Sequence, residues 1–127
     1  MPRILVVDDD PDVVEACRLV LEAEGYEVSE ANNRPDGMAR VAEVKPDLII
    51  LDVMMDQPDD GIVMAQELRR DGVLIPILML TSVNKVIGFE LGADSEVLPV
   101  TEFCEKPIEP AQLIEYVAAL LKGGGAL

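Results

Sequence analysis

The sequence predicts an α/β fold in which a parallel sheet of five strands is covered by helices on both faces. Three observations carry that expectation. Apolar runs alternate with segments of helical period from one end of the chain to the other. The clearest runs are continuously apolar, as strands buried on both faces are. The chain has 127 residues, half of them hydrophobic, which suits one domain with a core of its own.

The elements follow in order. Ile4-Leu5-Val6-Val7 is the first strand. Asp10 then caps a helix whose first turn opens with Pro11, because an aspartate accepts from the orphan N–H groups and proline lacks one to orphan. Val13, Val14, Cys17, Val20 and Leu21 repeat at helical spacing, and Gly25 is the glycine after the C-cap. Tyr26 to Glu30 is a shorter strand, followed by a helix from about Pro35 to Val44 with Met38, Val41 and Ala42 on one face and Pro46 as its breaker. Leu48-Ile49-Ile50-Leu51 is the next strand and ends at Asp52.

A loop with Pro58 and Gly61 leads to a helix carrying Ile62, Ala65 and Leu68, closed by Gly72. Ile75 to Leu80 is the fourth strand and runs into Thr81-Ser82. A short helix from Lys85 to Leu91, a strand from Val100 to Glu105 and a helix from about Pro110 to Lys122 complete the pattern. In the last helix Leu113, Ile114, Val117, Leu120 and Leu121 face inward. The expected division is a domain over 1–122 and a flexible Gly-rich tail over 123–127.

Composition excludes several function classes. The net charge of −15 repels nucleic acid phosphates and anionic lipid, so neither direct nucleic acid binding nor membrane binding is expected. The absence of histidine removes His-based triads, His-liganded zinc and a phosphohistidine carrier. Cys17 and Cys104 read as small buried hydrophobes rather than a disulfide. The four-residue apolar run after Arg3 is too short for a signal peptide and no stretch approaches a membrane span, so a cytoplasmic location is expected.

Right-handed crossovers put the C-terminal ends of all strands at one edge of a parallel sheet, where such folds do their chemistry. The first strand runs into Asp8-Asp9-Asp10, the third into Asp52, the fourth into Thr81-Ser82 and the fifth into Lys106. Taken singly, each has a bland explanation: a cap, a solvated loop acid, a surface lysine. Together they crowd carboxylates, hydroxyls and one ammonium into a small volume. Clustered carboxylates repel unless a cation or protons intervene, and a few-carboxylate oxygen site with open positions suits magnesium. A carboxylate beside such an ion can attack phosphorus, with lysine and hydroxyl neutralising phosphoryl oxygens.

As an ordered set, Ile4-Leu5-Val6-Val7-Asp8-Asp9-Asp10-Pro11, Leu48-Ile49-Ile50-Leu51-Asp52, Leu80-Thr81-Ser82 and Lys106-Pro107 resemble the receiver domain of bacterial two-component response regulators, in the manner of chemotaxis receivers, over about residues 3–122. The resemblance implies a flavodoxin-like (βα)5 three-layer sandwich with strand order 2-1-3-4-5. It implies Asp52 as phosphoacceptor, Asp9 as direct Mg2+ ligand, Asp8 as an acid acting through water and the backbone carbonyl of Met54 as a third protein ligand. Thr81 matches the hydroxyl that responds to the phosphoryl group, Lys106 the lysine that contacts it, and Phe103 the switch aromatic; Pro107 suggests a cis Lys-Pro bond.

The implied partners are a sensor histidine kinase or a histidine phosphotransfer protein, together with a protein output partner, and the resemblance leaves room for a phosphorylation-dependent homodimer. The module would assist its own aspartyl phosphorylation and dephosphorylation and otherwise be no enzyme.

The chain departs from the family pattern in three places. Asp56 stands near the usual proline and Gly61 comes one residue late. Between Thr81 and Gly92 the chain is short, and between Gly92 and Lys106 it is long, with Ser95 to Glu102 reading as an insertion that remodels the output face. The alternatives are a phosphorylation-independent pseudo-receiver scaffold, against which Asp52, Thr81 and Lys106 argue; a haloacid dehalogenase-type phosphatase, which needs an Asp where Met54 stands; and a flavin carrier, which lacks its phosphate loop and stacking aromatics.

Overall fold

The computed structural model describes residues 2–53, 55, 60–82, 102–106 and 109–123, with backbone alone for 81, 82, 102, 103, 105, 106 and 123. Its strands are β1 (Arg3–Val7), β2 (Glu27–Ala31), β3 (Leu48–Asp52), β4 (Ile77–Ser82) and β5 (Glu102–Lys106). Its helices are α1 (Pro11–Ala23), α2 (Arg34–Val44), α3 (Asp60–Arg70) and α4 (Pro110–Gly123). All ladders are parallel, in the order β2-β1-β3-β4-β5.

Successive side chains of a strand point to opposite faces, and the buried residues divide accordingly. Leu5, Val7, Ile49, Leu51, Ile77 and Met79 meet Val41 of α2 and Met64, Ala65 and Leu68 of α3. Ile4, Val6, Leu48, Ile50, Leu78, Leu80 and Cys104 meet Val14, Cys17 and Leu21 of α1 and Leu113 and Val117 of α4. The result is helix, sheet, helix, as the continuous apolar strands predict. Cys17 and Cys104 are both buried thiols within the second of these cores.

Caps fix the helix starts. Asp10 and Asn33 each accept a backbone N–H of the first turn, from Asp12 and Asp36 respectively. After α1 the chain turns through Gly25 at φ +92°, a conformation that suits glycine.

Several expected boundaries shift. β4 begins at Ile77 rather than Ile75: Val73 and Ile75 instead give their carbonyls to the Arg69 guanidinium at 2.9 and 2.8 Å, and Pro76 has no N–H for a ladder. Burial holds the Arg69 guanidinium below its ordinary pKa. β2 and β5 start later than expected, at Glu27 and Glu102, so Glu102 belongs to a ladder, opposite Leu78, and not to an insertion. α2 stops before Pro46 because Lys45 takes the left-handed conformation, φ 53° and ψ 64°, and Ala42 faces solvent rather than the core. Ile114, Leu120 and Leu121 are half-buried, while Tyr116 joins the core margin unannounced. The helix expected from Lys85 to Leu91, residues 95–101 of the expected insertion, and the Lys106-Pro107 bond with the residues around Pro58 lie outside the described residues.

Candidate functional site

Strand register builds the site. Val7 lies opposite Leu51, so the residues that follow them, Asp8 and Asp52, leave the sheet side by side. Carboxylate oxygens of Asp8, Asp9 and Asp52 all lie within 4.8 Å of one another. Asp8 is fully buried and Asp52 is 5% exposed, whereas Asp9 faces solvent. Two nearly dry acids beside one wet one make a strongly negative mouth at the C-terminal edge of the sheet.

The backbone around this cluster is tied down on every side that is described. The Asp8 N–H donates to the Ala31 carbonyl at 3.1 Å, fastening the exit of β1 to β2. The Asp10 N–H donates to Asp8 Oδ1 at 2.9 Å, so Asp8 holds the turn that leads into α1. Beyond Asp52, the Val53 N–H donates to the Leu80 carbonyl at 3.0 Å and the Gly61 N–H to the Val53 carbonyl at 2.8 Å. The last contact seats the start of α3 on the backbone of the site. A Cβ at position 61 would lie 2.0 Å from the Asp52 carbonyl oxygen, so only glycine fits there.

The remaining expected site residues take register positions. Asp52 lies opposite Leu80, which places Thr81 one residue beyond the level of Asp52 on the adjacent strand; Thr81 lies opposite Glu105, and Ser82 opposite Lys106. Phe103 lies opposite Met79 in β5. Met54 is outside the described residues.

Sequence reasoning missed a second charged group next to the site. Asp60, the first residue of α3, is 5% exposed, and its carboxylate accepts from Arg34 Nε at 3.1 Å. Arg34, the first residue of α2, also reaches Glu67 at 2.9 Å. Glu67 first and Asp60 second hold the Arg34 guanidinium above its ordinary pKa. A pair 26 residues apart leaves no periodic trace; the only available hint was an arginine in a chain with ten cations among 25 acids.

The donor set fits a divalent cation. Three carboxylates at this spacing supply hard oxygen ligands on one side and leave open positions on the wet side, as magnesium prefers. Among the described residues no helix is long and apolar enough to cross a membrane.

Comparison with known proteins agrees with this geometry. The response regulator receiver domain family matches residues 4–118. The chain is 38% identical to the DNA-binding dual master transcriptional regulator RpaA of Synechocystis over 96% of its own length and 50% of that protein's. It is 38% identical to the alkaline phosphatase synthesis transcriptional regulatory protein PhoP of Bacillus subtilis over 94% of its own length and 48% of that protein's. It thus spans about half the length of the curated relatives it matches. Among solved structures it superposes on the chemotaxis protein CheY4 of Vibrio cholerae with a TM-score of 0.82 and 26% identity, covering 94% of this chain and 98% of that one. The family is one of signalling receivers rather than of catalytic enzymes, and membership implies a histidine kinase as partner. With its matched span, its strand order and its acidic pocket in agreement, the chain belongs to the response regulator receiver domains of two-component systems.

Proposed function

We propose that this domain, over residues 1–123 because α4 runs through the Gly123 at which the tail was expected to begin, accepts a phosphoryl group on Asp52 from a phosphohistidine of a sensor kinase or a histidine phosphotransfer protein. The P–N bond to imidazole breaks and a P–O bond to the Asp52 carboxylate forms. The observation that carries the reading is the convergence of the Asp8, Asp9 and Asp52 carboxylates within 4.8 Å at the edge of the sheet.

Asp52 is well disposed for the step. It is nearly dry, so its attacking oxygen has little water to shed, and Gly61 and Leu80 brace the backbone on which it stands. Asp8, Asp9, Asp52 and the Met54 carbonyl would hold Mg2+. When bound, Mg2+ neutralises the carboxylates and the phosphoryl oxygens. Lys106 supplies a further positive charge to those oxygens. Thr81 donates its hydroxyl to one of them, and that pull, together with Phe103, passes the modification on to a protein output surface. That surface includes the helix expected around Lys85 to Leu91 and β5, and it is the natural place for a homodimer contact. The relatives' names include DNA binding, but the −15 charge of this chain opposes direct contact of this domain with nucleic acid.

Acetyl phosphate with Mg2+ tests the assignment without the kinase. Wild type should gain about 80 Da by intact mass, one phosphoryl group, and Asp52→Asn nothing. No gain in wild type would leave a phosphorylation-independent scaffold as the better account.

A further inference from the structure

The second charged group lies where it can act on the first. From Asp52 the chain leaves the sheet and returns at Gly61, whose N–H bonds the Val53 carbonyl and whose Cα lies against the Asp52 carbonyl. The seat of α3 is therefore also the floor of the acidic cluster. Asp60 stands immediately before Gly61, almost wholly buried, and a buried carboxylate needs a charged partner to remain there. Arg34 provides one from the first turn of α2. It bonds Asp60 through Nε and Glu67 through Nη1, contacts seven residues apart on α3 and so on one face two turns long. An arginine fork spanning two turns fixes both the axial position and the rotation of the helix, which a single pair would not. α2 is in turn fixed by Val41, packed in one core with Met64, Ala65 and Leu68 of α3.

We propose that Arg34 is a positioning residue for the cation site, clasping Asp60 and Glu67 so that α3 holds the Asp52 backbone at the distance from Asp8 and Asp9 that a divalent ion requires. The inference rests on the proposed metal-assisted role of the cluster. It assigns control of that site to a residue that touches no ligand and comes from another helix. Loss of the clasp removes the Arg34 contacts to Asp60 and Glu67 together, and with them the ion pairs that tie α3 to the first turn of α2.

The test is Mn2+ binding to the full chain, read from the loss of the free-ion electron paramagnetic resonance signal, alongside melting in chelator. Arg34→Ala should weaken Mn2+ binding roughly tenfold, the scale of change in groups that orient metal ligands. Arg34→Lys, which can hold one acid but not fork to both, should fall between. Arg18→Ala is the matched control: Arg18 is as exposed as Arg34 and bridges Glu22 and Glu30 at 3.1 and 2.7 Å on the opposite side of the sheet. It should lower the melting temperature comparably and leave Mn2+ affinity unchanged. Equal Mn2+ affinity in Arg34→Ala and wild type would overturn the positioning role while leaving the metal site intact. Equal weakening in Arg34→Ala and Arg18→Ala would also overturn it, since general destabilisation would then suffice. A wild type that binds no Mn2+ would overturn the metal-site reading and this inference with it.

Discussion

Asp8 Oδ1 accepts the backbone N–H of Asp10 at 2.9 Å, so one carboxylate of the acidic cluster also holds the residue that caps α1. The two aspartates divide the work: Asp8 is buried and faces the cluster, while Asp10 is exposed and serves the helix. Asp10→Ala should therefore cost about 1 kcal/mol, the usual value of an N-cap. That is roughly 4 °C of melting temperature for a domain of this size. The magnesium response should survive. Its disappearance would make Asp10 part of the metal set rather than a cap.

Magnesium should stabilise the fold. Three carboxylates within 4.8 Å repel when no cation lies between them, and a ligand of the native state adds RT ln(1 + [L]/Kd). At ten times Kd this is about 1.4 kcal/mol, or roughly 3–6 °C. In chelator, Asp9→Asn should melt above wild type because one repelling charge is gone, and it should not respond to magnesium. A melting curve for Asp9→Asn that rises with magnesium as wild type does would contradict the assignment of Asp9.

Gly61 should tolerate nothing larger. A methyl there meets the Asp52 carbonyl oxygen and the Val53 backbone, so Gly61→Ala should cost about 1–3 kcal/mol by overpacking and slow labelling of Asp52 by acetyl phosphate. Gly25→Ala is the comparison. It has open space around it but an unfavourable φ of +92°, so it should destabilise by about 1–2 kcal/mol and leave labelling alone. Equal labelling rates for the two variants would separate the floor of the site from its chemistry.

Lys106 should matter more to the response than to the transfer. Its backbone stands opposite Ser82, beyond the level of Asp52, on the strand next to β4. Lys106→Ala should still take up some phosphoryl group but show a smaller spectroscopic shift with a beryllofluoride mimic. An equal shift in both proteins would refute the role.

Much of this was legible in the residues. β1 and β3 announce themselves because a strand covered on both faces has no polar position to interrupt it, and the carboxylates are legible because they end those strands. What resists reading is whatever depends on partners distant in sequence. The apolar run from Ile75 to Leu80 reads as one strand, and only the Arg69 contact to the Ile75 carbonyl shows why its first residues are a loop. Ala42 lies four residues after Met38, one turn along the same helix, yet looks outward, because an alanine fits either side. Gly61 reads from sequence as a residue out of step, and in the structure its lack of a side chain lets α3 close on the Asp52 backbone.

The double pairing of β1 has a consequence for how the chain acquires its shape. Ile4 to Val7 lie opposite Val28 to Ala31 on one edge and Leu48 to Leu51 on the other. The second edge waits for residues more than forty positions away, each link closed across a crossover helix, so native contacts are non-local and folding is slow for a chain of this length. Any chain that ends before Leu48 leaves the apolar run Ile4 to Val7 with the hydrogen bonds of that edge unmade. That is a template for pairing with another chain, and truncation upstream of β3 should yield aggregates instead of a smaller soluble domain.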